Sequence, residues 1–345
     1  MTAENLSGIS GALAQTMAPQ LTRNWNRQAV FLQNIDITTA GGAGAGQNVS
    51  WDVEFSTSGA TAATFTEGAD VTTYSQDPVT KALLNWGMYQ SSFQLSNLEI
   101  NAAAANIGNA TALGDMIGER FLGAITAITD KMEQDSFTGS ASPSLVGLNT
   151  AISASGSYAG VAVATYSEWA GNVQANGGTP QALTLAQLAT AEALAFTASG
   201  MEPDFLMTTP LIYSKYEALF NATVRTVTDG QRPIPQFQGS AGRLYWRGKP
   251  IIRNRRCPAG KIYMMNSSAV ELVVLPWANV PDGVMTVTKN AISSNGDGTD
   301  TVKIPFKVYP LARTGSAVKF AVEVYAQLKV RRPNAHVIIS DVQET

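Results

Sequence analysis

"GKPIIRNRRCPAGKIYMMNSSAVEL", residues 248–272, is the stretch on which the fold turns. It begins inside a hairpin, "RLYWRGKPIIR" (243–253), with Gly248 at the turn. Two apolar runs come next, "KIYMMN" (261–266) and "AVELVVL" (269–275), and both read as strands. Upstream, "DFLMTT" (204–209) is a buried strand leading straight into the helix "PLIYSKYEALF", with Thr209 as N-cap and Pro210 as first residue. Before it, Leu185, Leu188, Ala189, Glu192 and Phe196 fit a helix over about 184–199, closed by Gly200. Downstream come strands at 283–289, 302–309 and 317–330, a polar loop at 290–300, and last "PNAHVIISDV" (333–342). From residue 145 onward the pattern is mixed α/β.

The N-terminal part is built differently. "TALGDMIGERFLGAITAITDKMEQDSF" (111–137) is the clearest helix, with Leu113, Met116, Ile117, Phe121, Ala124, Ile125, Ile128 and Met132 on one stripe. Thr111 is its expected N-cap and Gly139 its end. At about 1.5 Å per residue it is roughly 40 Å long, the length of a structural spine. Residues 17–33 carry Leu21, Trp25, Ala29 and Leu32 at helical spacing. Val49, Trp51, Val53 and Phe55 alternate as a strand, 56–77 is polar and turn-rich, and 79–96 is a second extended run. Two strands joined by so long an excursion make an extended hairpin, and a loop of that length usually has a binding role. The glycines just before it, in "GGAGAGQNVSW" (41–51), invite a phosphate-loop reading. That reading needs a helix after the glycines, because the anion rests on the helix's first free N–H groups. A strand stands there instead and no Gly-Lys-Ser/Thr closes the motif, so Gly41, Gly42, Gly44 and Gly46 read as a hinge.

Composition removes whole classes of function. The chain has 345 residues and is 45% hydrophobic, enough for two domains and a substantial core. Charged residues are 14%, against roughly 25% in soluble proteins at large, which points to a surface covered by partners. With one cysteine, Cys257, and one histidine, His336, a disulfide and a His/Cys zinc site are both out of reach. No apolar run has the length of a membrane span, and "MTAENLSGISG" lacks a basic-then-apolar signal, so folding in a cytosol is expected. The net charge of −3 divides into −9 over residues 1–172 and +6 over 173–345. No basic residue lies between Arg27 and Lys81, whereas Asp36, Asp52, Glu54, Glu67, Asp70 and Asp77 are acidic. "RGKPIIRNRRCPAGK" (247–261) has six basic residues and no acidic one. Such runs are usually solvated faces; the alternative is self-complementarity, one copy's acidic segment on another's basic one.

Catalytic and metal chemistry find little to work with. Asn295, Asp297 and Asp300 in "SNGDGTD" (294–300) suggest a calcium loop, but the twelfth-position glutamate and flanking helices are missing. Cys257 lies among Arg253, Arg255, Arg256 and Lys261, neighbours that favour a thiolate, and His336 is the one histidine available as its base. The 247–261 run has phosphate-binding charge, yet with Tyr245 and Trp246 alone beside it there is no evident base-stacking platform. No enzyme, cofactor or metal site emerges.

The order of these segments resembles the major capsid protein of tailed bacteriophages, the Hong Kong 97-like capsid fold. The 248–272 run is similar to the family's glycine-turn strand followed by Pro-Ala-Gly and a strand. "VKFAVEVYAQLKVRRPNAHVIISD" (318–341) resembles its long strand ending in an Arg-Pro turn and a last short strand. The helical arm, the acidic hairpin around "EGAD" and the spine helix complete the set, and the resemblance covers nearly the whole chain.

The resemblance implies an α+β fold with an N-terminal arm (1–45), an extended β-hairpin loop (46–95), a peripheral domain (96–145 and 283–332) and a mixed α/β axial domain (146–282 and 333–345). It implies a structural protein whose copies form hexamers and pentamers of an icosahedral shell around double-stranded DNA, in a virion assembled in the host cytoplasm. Its expected partners are copies of itself, with scaffolding, portal and decoration proteins as candidates and no membrane. In the family the extended loop lies across a neighbouring subunit. The expected intersubunit contacts are therefore acidic Glu67, Asp70 and Asp77 against basic Arg247, Lys249, Arg253, Arg255, Arg256, Lys329, Arg331 and Arg332. Some members cross-link a loop lysine to a neighbour's asparagine, but residues 46–80 contain no lysine, so a non-covalent shell is expected. The alternatives are an encapsulin-type nanocompartment shell, which shares the fold around an enzyme cargo, and an α/β enzyme using Cys257 and His336.

Overall fold

The computed structural model describes residues 29–39, 46, 48–55, 66–68, 79–105, 110–221, 244–275, 285–290, 303–312 and 315–344. Strands β1 (Asp36–Thr39), β2 (Asn48–Glu54), β3 (Val79–Asn85) and β4 (Gly87–Ser96) come first, then helices α1 (Asn97–Ala105) and α2 (Ala110–Thr138). A one-turn helix α3 (Leu148–Ala151), the short strands β5 (Ser157–Tyr158) and β6 (Val161–Ala162), and β7 (Asn172–Gln174) come after them. Next are α4 (Leu185–Ser199), β8 (Phe205–Thr208), α5 (Pro210–Asn221), β9 (Leu244–Trp246), β10 (Lys249–Arg253) and β11 (Ile262–Met265). The last strands are β12 (Val270–Val274), β13 (Met285–Asn290), β14 (Lys303–Pro310), β15 (Ala317–Val330) and β16 (Val337–Ile339).

These elements fall into two compact units. One lies within Met88–Met132 and Val274–Ala326, with Ala29; the other lies within Val30–Gly87, Glu133–Val273 and Gln327–Thr345. The boundaries drawn from the resemblance, at 96, 146, 283 and 333, compare with structural ones at 88, 133, 274 and 327.

In the first unit β13, β14 and β15 form an antiparallel run, and β4 also pairs with β15. Phe93 stacks on Phe320 with ring centroids 5.3 Å apart. Helix α1 is absent from the sequence reading, although Ser96-Asn97-Leu98-Glu99 spells a capping box. Ser96 Oγ accepts the Glu99 N–H at 3.1 Å, and Glu99 Oε2 accepts the Ser96 N–H at 2.9 Å. Arg120 of α2 then pairs with Glu99 at 2.6 Å. Helix α2 starts at Ala110, so Thr111 sits inside its first turn and is not the expected N-cap.

The second unit is built on a mixed sheet of order β7-β16-β11-β8-β10-β9. β16 runs parallel to β7 and β10 parallel to β8, while β11 is antiparallel to both β8 and β16. All four residues of β8 are buried, as a strand covered on both faces must be. On one face, Leu188, Ala191 and Ala195 of α4 and Ile212, Tyr213 and Tyr216 of α5 pack on Leu206, Ile251, Met264 and Ile339. On the other, Tyr263 meets Phe137 at 5.2 Å, and Phe137 meets Phe31 at 5.4 Å. Each such side chain fully withdrawn from water contributes about 1.5–3 kcal/mol.

Local chemistry sets the ends of these elements. Thr184 and Gln187 form a capping box on α4, and Gly200 closes it at φ 70°, a left-handed backbone that favours glycine. Arg247 and Gly248 both have positive φ (46° and 82°), the two-residue turn that matches hairpin twist. The expected helix over 17–33 does not reach its C-terminal limit: Val30–Gln33 are turns, and 17–28 lie outside the described residues. The expected single run over 79–96 is broken at Trp86. β3 pairs with β2 in register Asp52↔Lys81, whereas β4 pairs with β15, and the Trp86 indole N–H donates to the Gly46 carbonyl at 3.0 Å.

Candidate intersubunit surface

Four of the eight basic residues expected to face a neighbour, Arg247, Lys249, Lys329 and Arg331, turn out to pair with acids of their own chain. Arg247, at the β9–β10 turn, reaches Glu192 of α4 at 2.9 Å, and Lys249 binds the same carboxylate and Glu202 at 3.4 Å. Burial alone would raise the Glu192 pKa, but the hydrogen bond and charge of Lys249 and the charge of Arg247 outweigh it and the net shift is downward.

A second hub sits at the end of β15. Glu271 of β12 is 6% exposed. It accepts Lys329 Nζ at 2.8 Å, Arg331 through Nε at 3.2 Å and Nη2 at 2.7 Å, and the Thr38 hydroxyl at 3.0 Å. The planar guanidinium fork matches both carboxylate oxygens, which a lysine cannot do. Here too burial pushes the carboxyl up and the two cations bring it below its ordinary value. Lys329 also lies over the Trp51 ring, 5.4 Å from its centroid. A cleft of about 640 Å³ opens beside this hub, lined by Asp52, Glu54 and Glu168 as well as Lys329, Arg331 and Arg332.

The remaining bases are more open. Arg253 is exposed, with its guanidinium 5.0 Å from the Tyr213 centroid. Arg255 is exposed and Arg256 half-buried in the turn after β10, where Asn254 Oδ1 accepts the Arg256 N–H at 2.8 Å. Arg332 is exposed and reaches the Met201 sulfur at 3.6 Å. Of the loop acids, Glu67 is exposed beside Gly68 (φ 88°); Asp70 and Asp77 lie outside the described residues. So do Gly41, Gly42 and Gly44 of the expected hinge, and Asn295, Asp297 and Asp300. Gly46 is described, and it leads into the strand β2, which offers no helix N-terminus to a phosphate.

Sequence reasoning missed the most buried acid among the described residues. Glu133, near the end of α2, has no exposed surface. It accepts the Phe31 N–H at 2.7 Å, the Leu32 N–H at 3.1 Å and the Asn254 amide at 2.5 Å. Its place in a helical pattern gave no signal of this, since the donors come from distant segments.

The alternative built on Cys257 and His336 does not survive. Cys257 is 6% exposed, its thiol donates to the Lys261 carbonyl at 3.8 Å, and burial pushes its pKa far above the usual thiol range. A buried thiol in that state is a poor nucleophile. His336 has no exposed surface, Nδ1 accepts the Asn266 N–H at 3.2 Å, and burial pulls its pKa down to about 4. Among the described residues no group of three His, Cys, Asp or Glu is placed to hold a metal, and no helix is long and apolar enough to cross a membrane.

Known proteins place this chain by family. Residues 17–343 match the model of the SU10 major capsid protein family. No curated protein matches. Among solved structures, the capsid asymmetric unit of cyanophage A-1(L) is 17% identical with a TM-score of 0.74, over 94% of this chain and 95% of that one. The holo-SrpI encapsulin complex of Synechococcus elongatus PCC 7942 is 13% identical at a TM-score of 0.57, over 96% and 95%. Mycobacterium phage Che8 is 12% identical at 0.51, over 94% and 95%. The fold is thus the Hong Kong 97-like α+β capsid fold, and the encapsulin likeness is the weaker one. With its family match running over almost its whole length, this chain belongs to the SU10 major capsid proteins, which are structural proteins and not enzymes.

Proposed function

We propose that copies of this chain assemble through hexamers and pentamers into the icosahedral shell of a tailed-phage virion, enclosing double-stranded DNA, in the cytoplasm of the host. The observation that carries this is the family match over residues 17–343. The 14% charge content supports it, because most of a shell subunit's flank is covered by its neighbours. Scaffolding, portal and decoration proteins are the further partners of such a shell.

Within this reading, the loop acids Glu67, Asp70 and Asp77 meet bases of an adjacent copy. Arg247 and Lys249 already neutralise Glu192, and Lys329 and Arg331 neutralise Glu271. Exposed Arg253 and Arg332 are therefore the bases better placed to reach a neighbour's acid: Arg253 lies over the Tyr213 ring and Arg332 has the Met201 sulfur as its partner among the described residues.

The test is the state of the expressed chain. Sedimentation should find capsomers or megadalton shells, and a stable monomer of 36.4 kDa would overturn the proposal. Shells purified from the source should contain double-stranded DNA, whereas an enzyme cargo would favour the encapsulin alternative. Boiled in detergent, the particles should run as one band at monomer mass, since residues 46–80 offer no lysine amine. A ladder of ring-sized multimers would refute the non-covalent shell.

A further inference from the structure

A hydrogen-bonded trio in the second unit belongs to none of the surfaces above. Lys261, just before β11, donates from Nζ to Oδ1 of Asn149 on α3 at 2.9 Å. The Tyr263 hydroxyl donates to the same oxygen at 2.7 Å. An ammonium has no lone pair, so the atom it faces is the amide carbonyl oxygen, and Nδ2 is the far end of the group. The Lys261 side chain is half-buried, with this amide oxygen as its hydrogen-bond acceptor and the charge of Asp341 acting on it from a distance.

We propose that Lys261 and Asn149 form an intramolecular isopeptide bond, a covalent staple between α3 and the start of β11. The neutral Nζ attacks Asn149 Cγ, a C–N bond forms, and the carbonyl electrons move onto Oδ1. The Tyr263 hydroxyl, already aimed at that oxygen, stabilises the oxyanion. When the carbonyl re-forms, the Cγ–Nδ2 bond breaks, the proton of the attacking nitrogen passes to Nδ2, and ammonia leaves. No oxidant, metal or co-reactant enters the balance.

Two electrostatic facts favour the step. Burial lowers the Lys261 pKa, which enlarges the fraction of neutral amine. Tyr263 has no exposed surface and burial raises its pKa, so it remains a donor at any working pH. The two partners are 112 positions apart in one chain and in one compact unit, so the bond links no copies and leaves the detergent-boiled band at monomer mass. It closes a long loop, the case in which a cross-link most restricts the unfolded chain.

Intact-mass spectrometry of the purified chain, fresh and after days at mildly alkaline pH, tests the bond. The expected result is a mass lower by one ammonia, and after digestion a branched peptide containing both Asn149 and Lys261. Lys261→Arg keeps the cation and should show the full mass. Tyr263→Phe should form the bond roughly 100-fold more slowly, the usual effect of losing one oxyanion donor. A parent chain that keeps its full mass after ageing overturns the proposal, as does a mass deficit without the branched peptide. The parent measurement decides even if a variant fails to fold, and it does not depend on shell assembly.

Discussion

Replacing Glu133 by glutamine changes one atom and should cost the subunit several kcal/mol. The carboxylate is fully buried, and its Oε1 accepts two donors, the Phe31 N–H and the Asn254 amide, while Oε2 accepts the Leu32 N–H. A glutamine oxygen in the Oε1 place retains the first two, but its Nε2 then faces the Leu32 N–H, donor against donor. One buried N–H left without an acceptor costs about 1–3 kcal/mol, and two bonds lose their charge assistance at about 1 kcal/mol each. The sum is about 3–5 kcal/mol, a large part of the roughly 5–15 kcal/mol that holds a domain folded. Glu133→Ala strands all three donors and should cost more. Urea unfolding of unassembled subunits, followed by tryptophan fluorescence, reads the change directly. Asn254→Ala combined with Glu133→Gln should be less than additive, because the two share a bond. If Glu133→Gln unfolds within about 0.5 kcal/mol of the parent, the range of an ordinary surface change, the three bonds are not holding residues 31–32 to the end of α2 and the reasoning is refuted.

Acid should weaken the fold through His336. Its folded pKa of about 4 lies below the ordinary 6.5, so the unfolded chain takes the proton first and stability is lost as pH falls from 6.5 through 4. The loss approaches about 3 kcal/mol at about 1.4 kcal/mol per unit, and urea midpoints of the parent should show a pH slope that His336→Gln lacks. Glu271→Ala leaves Lys329, with a side chain only 15% exposed, beside an empty position. A loss of about 2 kcal/mol is expected there, below the figure for a fully buried pair, and thermal melts should place it well above Arg247→Ala, whose 59% exposed side chain is worth under about 1 kcal/mol. Glu67→Ala with Asp70→Ala should leave the subunit folded by circular dichroism but impair shell formation or stability. A double variant whose shells survive heat and high salt as the parent's do would show that these acids are merely solvated.

The elements were legible in the sequence wherever the cause is local. Strand Ala317–Val330 and helix Leu185–Ser199 stand where the sequence places them, Gly200 closes that helix, and the β9–β10 hairpin turns at Arg247–Gly248. One cysteine and one histidine likewise removed disulfides and His/Cys zinc sites before any coordinates. The break at Trp86 was not legible, because the extended pattern runs on through it and only the change of partner, from β2 to β15, divides the run.

Charge pairing was decided by tertiary structure alone. The 247–261 and 329–332 clusters read as open basic faces because no acid stands near most of their bases in the chain. Glu192 lies 55 positions from Arg247, and Glu271 lies 60 from Arg331. Glu133 read as one more polar residue of a long helix, yet backbone donors 101 and 102 positions away and an amide 121 away converge on it. A sequence records which side chains are polar and how they repeat along one element. It does not record which donors the folding of other segments will strip of water and leave in need of an acceptor, and that need is what puts a carboxylate in the core.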